Sequence, residues 1–311
     1  MLLCLLVAAF LLLFILSVLF VILKLGPLII LQPHRITAED YRRCTNIISP
    51  ADLQLPFRDL SVQTRDGATL VGWFIPAESA AEGTVIYLHG VGDNRISGLH
   101  VARTFHDRGY NVCLYDSRRH GESDGKFCTY GYHEKYDVAA VIDSLEYSYG
   151  SDLGRIGLFG VSMGAAVALQ ATAIDGRIVA VVAEGCFTDL RTISLDGQKR
   201  IIRLRWEFLG NLVMKRAERI AGFVCDEVSP LKAVEGIRVP VFFVHGTEDP
   251  IIYPMYSEIL YSKANEPKEL YYIRNAYHNN TWIVGGKEYG EKLISFFDRW
   301  LVPTGSTSNL L

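Results

Sequence analysis

RIGLFGVSMGAAVALQATA, from Arg155 to Ala173, divides into a short apolar strand at Ile156 to Phe159, the pentapeptide Gly160-Val161-Ser162-Met163-Gly164, and an alanine-rich helix. The pentapeptide is G-x-S-x-G, the pattern that lifts a serine hydroxyl onto a sharp strand-to-helix turn. Its glycines are needed because a Cβ at either place would collide with neighbouring backbone. The helix start then aims positive dipole at the hydroxyl, and the Met163 N–H points to where negative charge would develop. With 27 glycines in 311 residues the string alone is a moderate signal. A strand before it and a helix after it make it a strong one.

Outward from this stretch, strands and helices alternate. Thr84 to Leu88, Tyr110 to Tyr115, Ile178 to Ala183 and Val239 to Val244 are continuous apolar runs, and Glu269 to Ile273 reads as a last strand. Helices are predicted over Ile96 to Arg108, over Tyr132 to Tyr149 and near Glu288 to Trp300. Apolar strands separated by helices imply a mostly parallel sheet covered on both faces, an α/β fold. Upstream, Phe57 to Thr64 and Thr69 to Ile75 flank Arg65-Asp66-Gly67, a hairpin signal.

An antiparallel hairpin leading into such a sheet, with this serine turn, resembles the α/β-hydrolases. Within that superfamily the chain is similar to membrane-anchored serine hydrolases of the dienelactone-hydrolase and prolyl-oligopeptidase-like branch. The likeness covers roughly residues 57–301. It rests on His89-Gly90-Val91-Gly92-Asp93-Asn94, Asp116-Ser117-Arg118-Arg119-His120-Gly121-Glu122-Ser123, the GVSMG turn, Ser229-Pro230-Leu231, His245-Gly246-Thr247-Glu248-Asp249-Pro250 and Ala276-Tyr277-His278. The strand-end segments among them fall where ligands bind in such sheets. One departure is Arg119, where many relatives carry glycine. The resemblance implies Ser162 as nucleophile, His278 as its base and Asp249 as the acid orienting the base, in the chain order this fold uses. It also implies an oxyanion hole from the N–H groups of Val91 and Met163.

Those roles suit acyl transfer: a serine hydroxyl needs a neutral imidazole to take its proton, and the imidazole needs a carboxylate to fix its tautomer. Glu248 is the rival acid. His89, His120 and His245 each precede a glycine in a strand-end loop and read as loop-shaping hydrogen-bond partners. Asp116 reads as a structural loop carboxylate and Cys186 as a core thiol. The six cysteines show no C-x-x-C spacing, so no zinc site or disulfide framework is indicated, and no metal or organic cofactor is expected.

The first stretch of the chain is of another kind. Leu2 to Leu23 carries no charge and is long enough to span a bilayer core. A cleaved signal peptide would show a shorter apolar region, a preceding basic residue and a small-residue cleavage site. An uncleaved anchor over residues 1–31 is therefore expected, with Leu28 to Leu31 at the interface after Gly26-Pro27. Lys24, Arg35, Arg42 and Arg43 all follow the span, which favours the cytoplasmic side for the domain. Residues 32–56, with Pro33, Pro50 and Pro56, read as a juxtamembrane tether, residues 57–301 as the catalytic domain, and residues 302–311 as a flexible tail.

Between Cys186 and Val239 the alternation stops, and residues 188–238 are expected to form a short helical lid. Eight basic side chains stand against three acidic ones from Arg191 to Arg219, while the whole chain has a formal charge of −3. Apolar residues are interleaved among them. This suits either a solvated basic face over an apolar cover, or a lid resting on an anionic membrane surface. The overall acidic balance speaks against nucleic acid as a partner.

These readings combine into a single-pass, membrane-anchored serine hydrolase acting on a small-molecule or lipid-like carboxylic ester. Thioesters or peptides would use the same triad, and a non-catalytic anchored binding protein would keep the same fold.

Overall fold

The computed structural model describes residues 1–203 and 206–302. Leu204, Arg205 and residues 303–311 lie outside the described residues, and with them all but the first residue of the expected tail. In chain order the elements are α1 (Leu2–Leu31), α2 (Ala38–Arg42), β1 (Arg58–Gln63), β2 (Thr69–Ile75), β3 (Thr84–Leu88), α3 (Leu99–His106), β4 (Asn111–Tyr115), α4 (Glu134–Tyr149), β5 (Ile156–Val161), α5 (Met163–Thr172) and β6 (Ile178–Glu184). There follow α6 (Leu190–Ile202), α7 (Glu207–Ala221), α8 (Pro230–Gly236), β7 (Val241–Gly246), α9 (Met255–Lys263), β8 (Lys268–Ile273) and α10 (Thr281–Leu301).

The strands form one eight-stranded sheet in the order β1-β2-β4-β3-β5-β6-β7-β8. β2 is antiparallel to both β1 and β4, and the remaining pairings are parallel. β3 and β4 are buried at every position, as continuous Val/Ile/Leu/Tyr runs require in a sheet with helices on both faces. One face packs on α3 and α10 through Phe105, Phe296 and Phe297. The other packs on α4, α5, α8 and α9 through Val141, Ala168, Val234 and Leu260. α9 had no counterpart in the sequence reading, and the closing helix begins at Thr281 and bends at Gly286, which has φ 49°.

In the N-terminal region α1 runs as one helix of 30 residues to Leu31, through Gly26-Pro27 and the segment expected at the interface. Proline removes an N–H donor and crowds the carbonyl one turn back, but Pro27 is buried, and its packing offsets that cost. α1 is long and apolar enough to cross a membrane, and its first two-thirds contact little of the protein. Residues 32–56, expected as a tether, are docked on the domain. They contain α2 and a 3₁₀ turn at Pro50–Leu53, and Leu55 is buried. The Ile36 N–H donates to the Gly92 carbonyl at 2.8 Å, the Asn94 side-chain amide to the Ile36 carbonyl at 2.8 Å, and the Tyr41 hydroxyl to Asp93 at 2.5 Å. A proline-spaced segment without periodicity conceals such docking, because it is made residue by residue.

Candidate active site

β5 ends at Val161 and α5 begins at Met163, which leaves Ser162 alone on the turn with φ 56° and ψ −117°. A non-glycine residue at positive φ is strained, and the surroundings hold it there. A Cβ on Gly160 would sit 2.2 Å from the Gly164 carbonyl oxygen, and one on Gly164 would sit 2.0 Å from that of Leu88. Both glycines are therefore fixed by steric contact. The Ser162 N–H donates to the Glu184 carbonyl at 2.8 Å, which ties the turn to the end of β6.

Asp249 follows β7 and His278 follows β8, so the side chains converge at the carboxyl end of the sheet. His278 Nε2 lies 2.9 Å from Ser162 Oγ, and its Nδ1 lies 2.6 Å from Asp249 Oδ2. Asp249 Oδ1 accepts the N–H groups of Ile251 and Ile252 at 2.8 and 2.9 Å. Burial alone would raise the Asp249 pKa. The bonds from His245, His278 and the Ile252 N–H outweigh it and hold the carboxyl well below the usual range, so it is an anion at neutral pH. Glu248, the rival acid, is exposed and engages the Ala276 carbonyl only through its backbone N–H.

Met163 opens α5, where a helix leaves its first N–H groups without internal acceptors. Val91 borders the same cavity as Ser162 and Met163. The Val91 loop is kept close by Gly90, whose missing Cβ would lie 3.5 Å from that of Ser162. His89 shapes this loop: Nδ1–H donates to the Gly90 carbonyl at 2.7 Å, and Nε2 accepts the Ser117 N–H at 2.9 Å. Asp116 is structural, accepting Arg95 through backbone and guanidinium and the N–H of Glu122. Burial pushes the Cys186 thiol well up, so it stays neutral. Arg119 adopts φ 68°, in the left-handed region that favours glycine, and its N–H closes the loop on the Asp124 carbonyl at 2.8 Å.

Two site residues carried more than the sequence reading gave them. His245 is buried, and its Nε2 lies 2.8 Å from the Ile252 carbonyl and 3.2 Å from Asp249 Oδ2, so it braces the acid as well as the loop. Gly185, at φ 59°, lets the chain pass under the His278 ring, 3.3 Å from Cε1 to where its Cβ would stand. A glycine directly after an apolar strand was the available signal. Among the described residues, no group of three or more His, Cys, Asp or Glu side chains converges as metal ligands do.

Behind Ser162 opens a cavity of about 440 Å³, within the range of small-molecule sites. Its walls are α6, α7 and, unexpectedly, the last turns of α1.

A family model described as serine aminopeptidase, S33, matches residues 79–222. The uncharacterized protein YqkD of Bacillus subtilis is 33% identical over 220 residues, covering 69% of this chain and 71% of its own. A Pyrococcus furiosus esterase is 28% identical with a TM-score of 0.71, over 88% of this chain and 98% of that one. The chain belongs to the α/β-hydrolase superfamily. This hydrolase also resembles the α/β-hydrolase domain-containing protein WAV2 of Arabidopsis thaliana, 27% identical over 81% of this chain and 82% of the relative.

Proposed function

We propose that this hydrolase is a membrane-anchored serine esterase that cleaves a carboxylic ester through an acyl-enzyme. The observation that carries the reading is the line Ser162 Oγ, His278 Nε2, His278 Nδ1, Asp249 Oδ2, with spacings of 2.9 and 2.6 Å, at the floor of an apolar cavity. Ser162 Oγ attacks the ester carbonyl carbon as His278 Nε2 takes its proton. Negative charge gathers on the carbonyl oxygen, facing the N–H groups of Met163 and Val91, where losing one donor costs ~3 kcal/mol of barrier. The bond to the alkoxy oxygen breaks and His278 returns the proton to the leaving alcohol. Water, deprotonated by the same imidazole, then releases the carboxylic acid and restores the Ser162 hydroxyl. Asp249 stays ionised throughout and stabilises the imidazolium. α1 would hold the domain at the bilayer.

The test is labelling of the full-length protein by a small fluorophosphonate. Ser162 should be modified and the Ser162→Ala and His278→Ala variants should not. Each variant should lose nearly all hydrolysis of p-nitrophenyl esters, and the double variant should be scarcely worse, because the residues act as a unit. Asp249→Asn should cost less than either, and Glu248→Gln nothing. An intact protein that is not labelled at Ser162 would point to a non-catalytic relative. Thioesters run in the same screen settle which acyl bond it prefers.

A further inference from the structure

Resting on Ser162 as the nucleophile, we propose that its acyl pocket is filled from the bilayer. The last turns of α1 form the pocket's membrane-side wall, and the substrate is a lipid-borne ester whose acyl chain reaches Ser162 between α1 and α7.

The placement of α1 carries the argument. Ile22, Gly26, Ile29 and Ile30 border the same cavity as Ser162. Their spacing of i, i+4, i+7 and i+8 is one face of a helix. Opposite them, α7 contributes Leu209, Val213 and Met214. Gly26 allows the two helices to touch, since a Cβ there would lie 3.1 Å from Val213 Cγ1. The end of α1 is also fixed relative to the site. Leu31 is fully buried, the Tyr130 hydroxyl donates to the Ile30 carbonyl at 2.9 Å, and the Cys128 N–H donates to the Leu31 carbonyl at 2.8 Å. Tyr130 itself borders the cavity.

Depth follows from length. A helix of 30 residues is about 45 Å long, and a hydrocarbon core is about 30 Å thick. If Leu2 to roughly Phe20 fill that core, Ile22 to Ile30 rise through the headgroup layer, where the ester carbonyl of a lipid resides. Trp206 and Phe208, at the start of the helix α7 that faces α1 across the cavity, are exposed, as side chains at a membrane interface are. A water-soluble ester would need no such wall. For an acyl chain already in the bilayer, the apolar face from Ile22 to Ile30 continues the hydrocarbon up to Ser162. The bond formed is between Ser162 Oγ and the acyl carbon, and the bond broken is that to the lipid alcohol, which leaves with the proton passed on by His278. After water attacks, the fatty acid returns along the same path.

Full-length protein in phosphatidylcholine vesicles would be treated with a long-chain alkyl fluorophosphonate bearing a diazirine at the chain end, irradiated, and mapped by mass spectrometry. Modification of Ser162 with cross-links in residues 22–30 and 209–214 is expected. Modified Ser162 with no cross-link on α1 overturns this inference and leaves the esterase reading standing, whereas unmodified Ser162 overturns both. Gly26→Leu and Ile30→Trp provide a second readout. The ratio of dodecanoyl to acetyl p-nitrophenyl ester turnover should fall at least about tenfold, the scale of pocket discrimination between apolar groups. An unchanged ratio in variants that still label at Ser162 overturns the proposal.

Discussion

Gly185→Ala adds one methyl group and removes no chemical function, yet it should disable the site. The methyl would stand 3.3 Å from His278 Cε1, 3.5 Å from Nδ1 and 3.9 Å from Asp249 Oδ2, on a residue with φ 59°. An alanine held in that left-handed region costs roughly 1–2 kcal/mol. The imidazole must also give by a few tenths of an ångström, against its contact of 2.9 Å to Ser162, along which the proposed mechanism moves the proton. Since a misplacement of about 1 Å can cost roughly a hundredfold, a few tenths should lower kcat about tenfold. KM should change little, because the perturbed contact belongs to the proton transfer and not to the acyl pocket. Steady-state hydrolysis of p-nitrophenyl esters reads the loss of kcat, and the rate of fluorophosphonate labelling should fall in proportion, since it would use the same proton transfer. The melting temperature reads the backbone strain, falling by roughly 2–8 °C at about 2–4 °C per kcal/mol for a domain of this size. Gly176→Ala is the control, with nothing within 4 Å of the added atom; it should stay within about 0.5 kcal/mol. A Gly185→Ala enzyme that keeps its fold and its full kcat would refute the view that this glycine sets the His278 ring.

Two further outcomes follow from the structure. Burial, with the His89 ring alongside, pushes His120 down to about 3, so the folded protein keeps it neutral while the unfolded chain protonates it below about pH 6.5. Stability that is complete above that pH should decline on acidification by up to about 1.4 kcal/mol per pH unit from this group. His120→Asn, which can retain the bond to the Arg118 carbonyl, should flatten the decline between about pH 6.5 and pH 4; equal slopes in urea unfolding would show that another group is responsible. The basic residues after the span favour a cytoplasmic domain. The exposed Cys44 should therefore resist a membrane-impermeant maleimide in intact cells and react after permeabilisation, and labelling of intact cells would reverse the orientation.

The central sheet was readable because β3 to β7 are apolar runs closed by a glycine or polar turn, and β1 and β2 because they flank an Asp-Gly turn, so that only boundaries moved, as when β5 extends from Phe159 to Val161. The convergence of Ser162, Asp249 and His278 was readable because each sits at a strand end, and the carboxyl ends of a parallel sheet meet on one side. Other features had no such signature. His245 looked like any histidine before a glycine, and its reach to Asp249 depends on how the loop folds back. α9, with the mixed sequence MYSEILYSK, has no clear apolar face. Least readable was the role of α1: a helix apolar on every side gives no hint of which side meets the enzyme, and only Gly26, small where Val213 needs room, marks the contact.

The docked connector bears on how this protein should be cut. Ile36 and Tyr41 clasp the loop from Gly92 to Asn94, directly beyond Val91. A shortened chain beginning at Pro56, the natural choice for a soluble preparation, would shed that clasp together with the α1 wall. The loop carrying Val91 would be free to drift and the pocket beside Ser162 would open to water. Silence from such a fragment would report the missing brace and not the competence of Ser162. The preparation that preserves the site keeps residues from about Ile22 onward and replaces the lost bilayer with detergent.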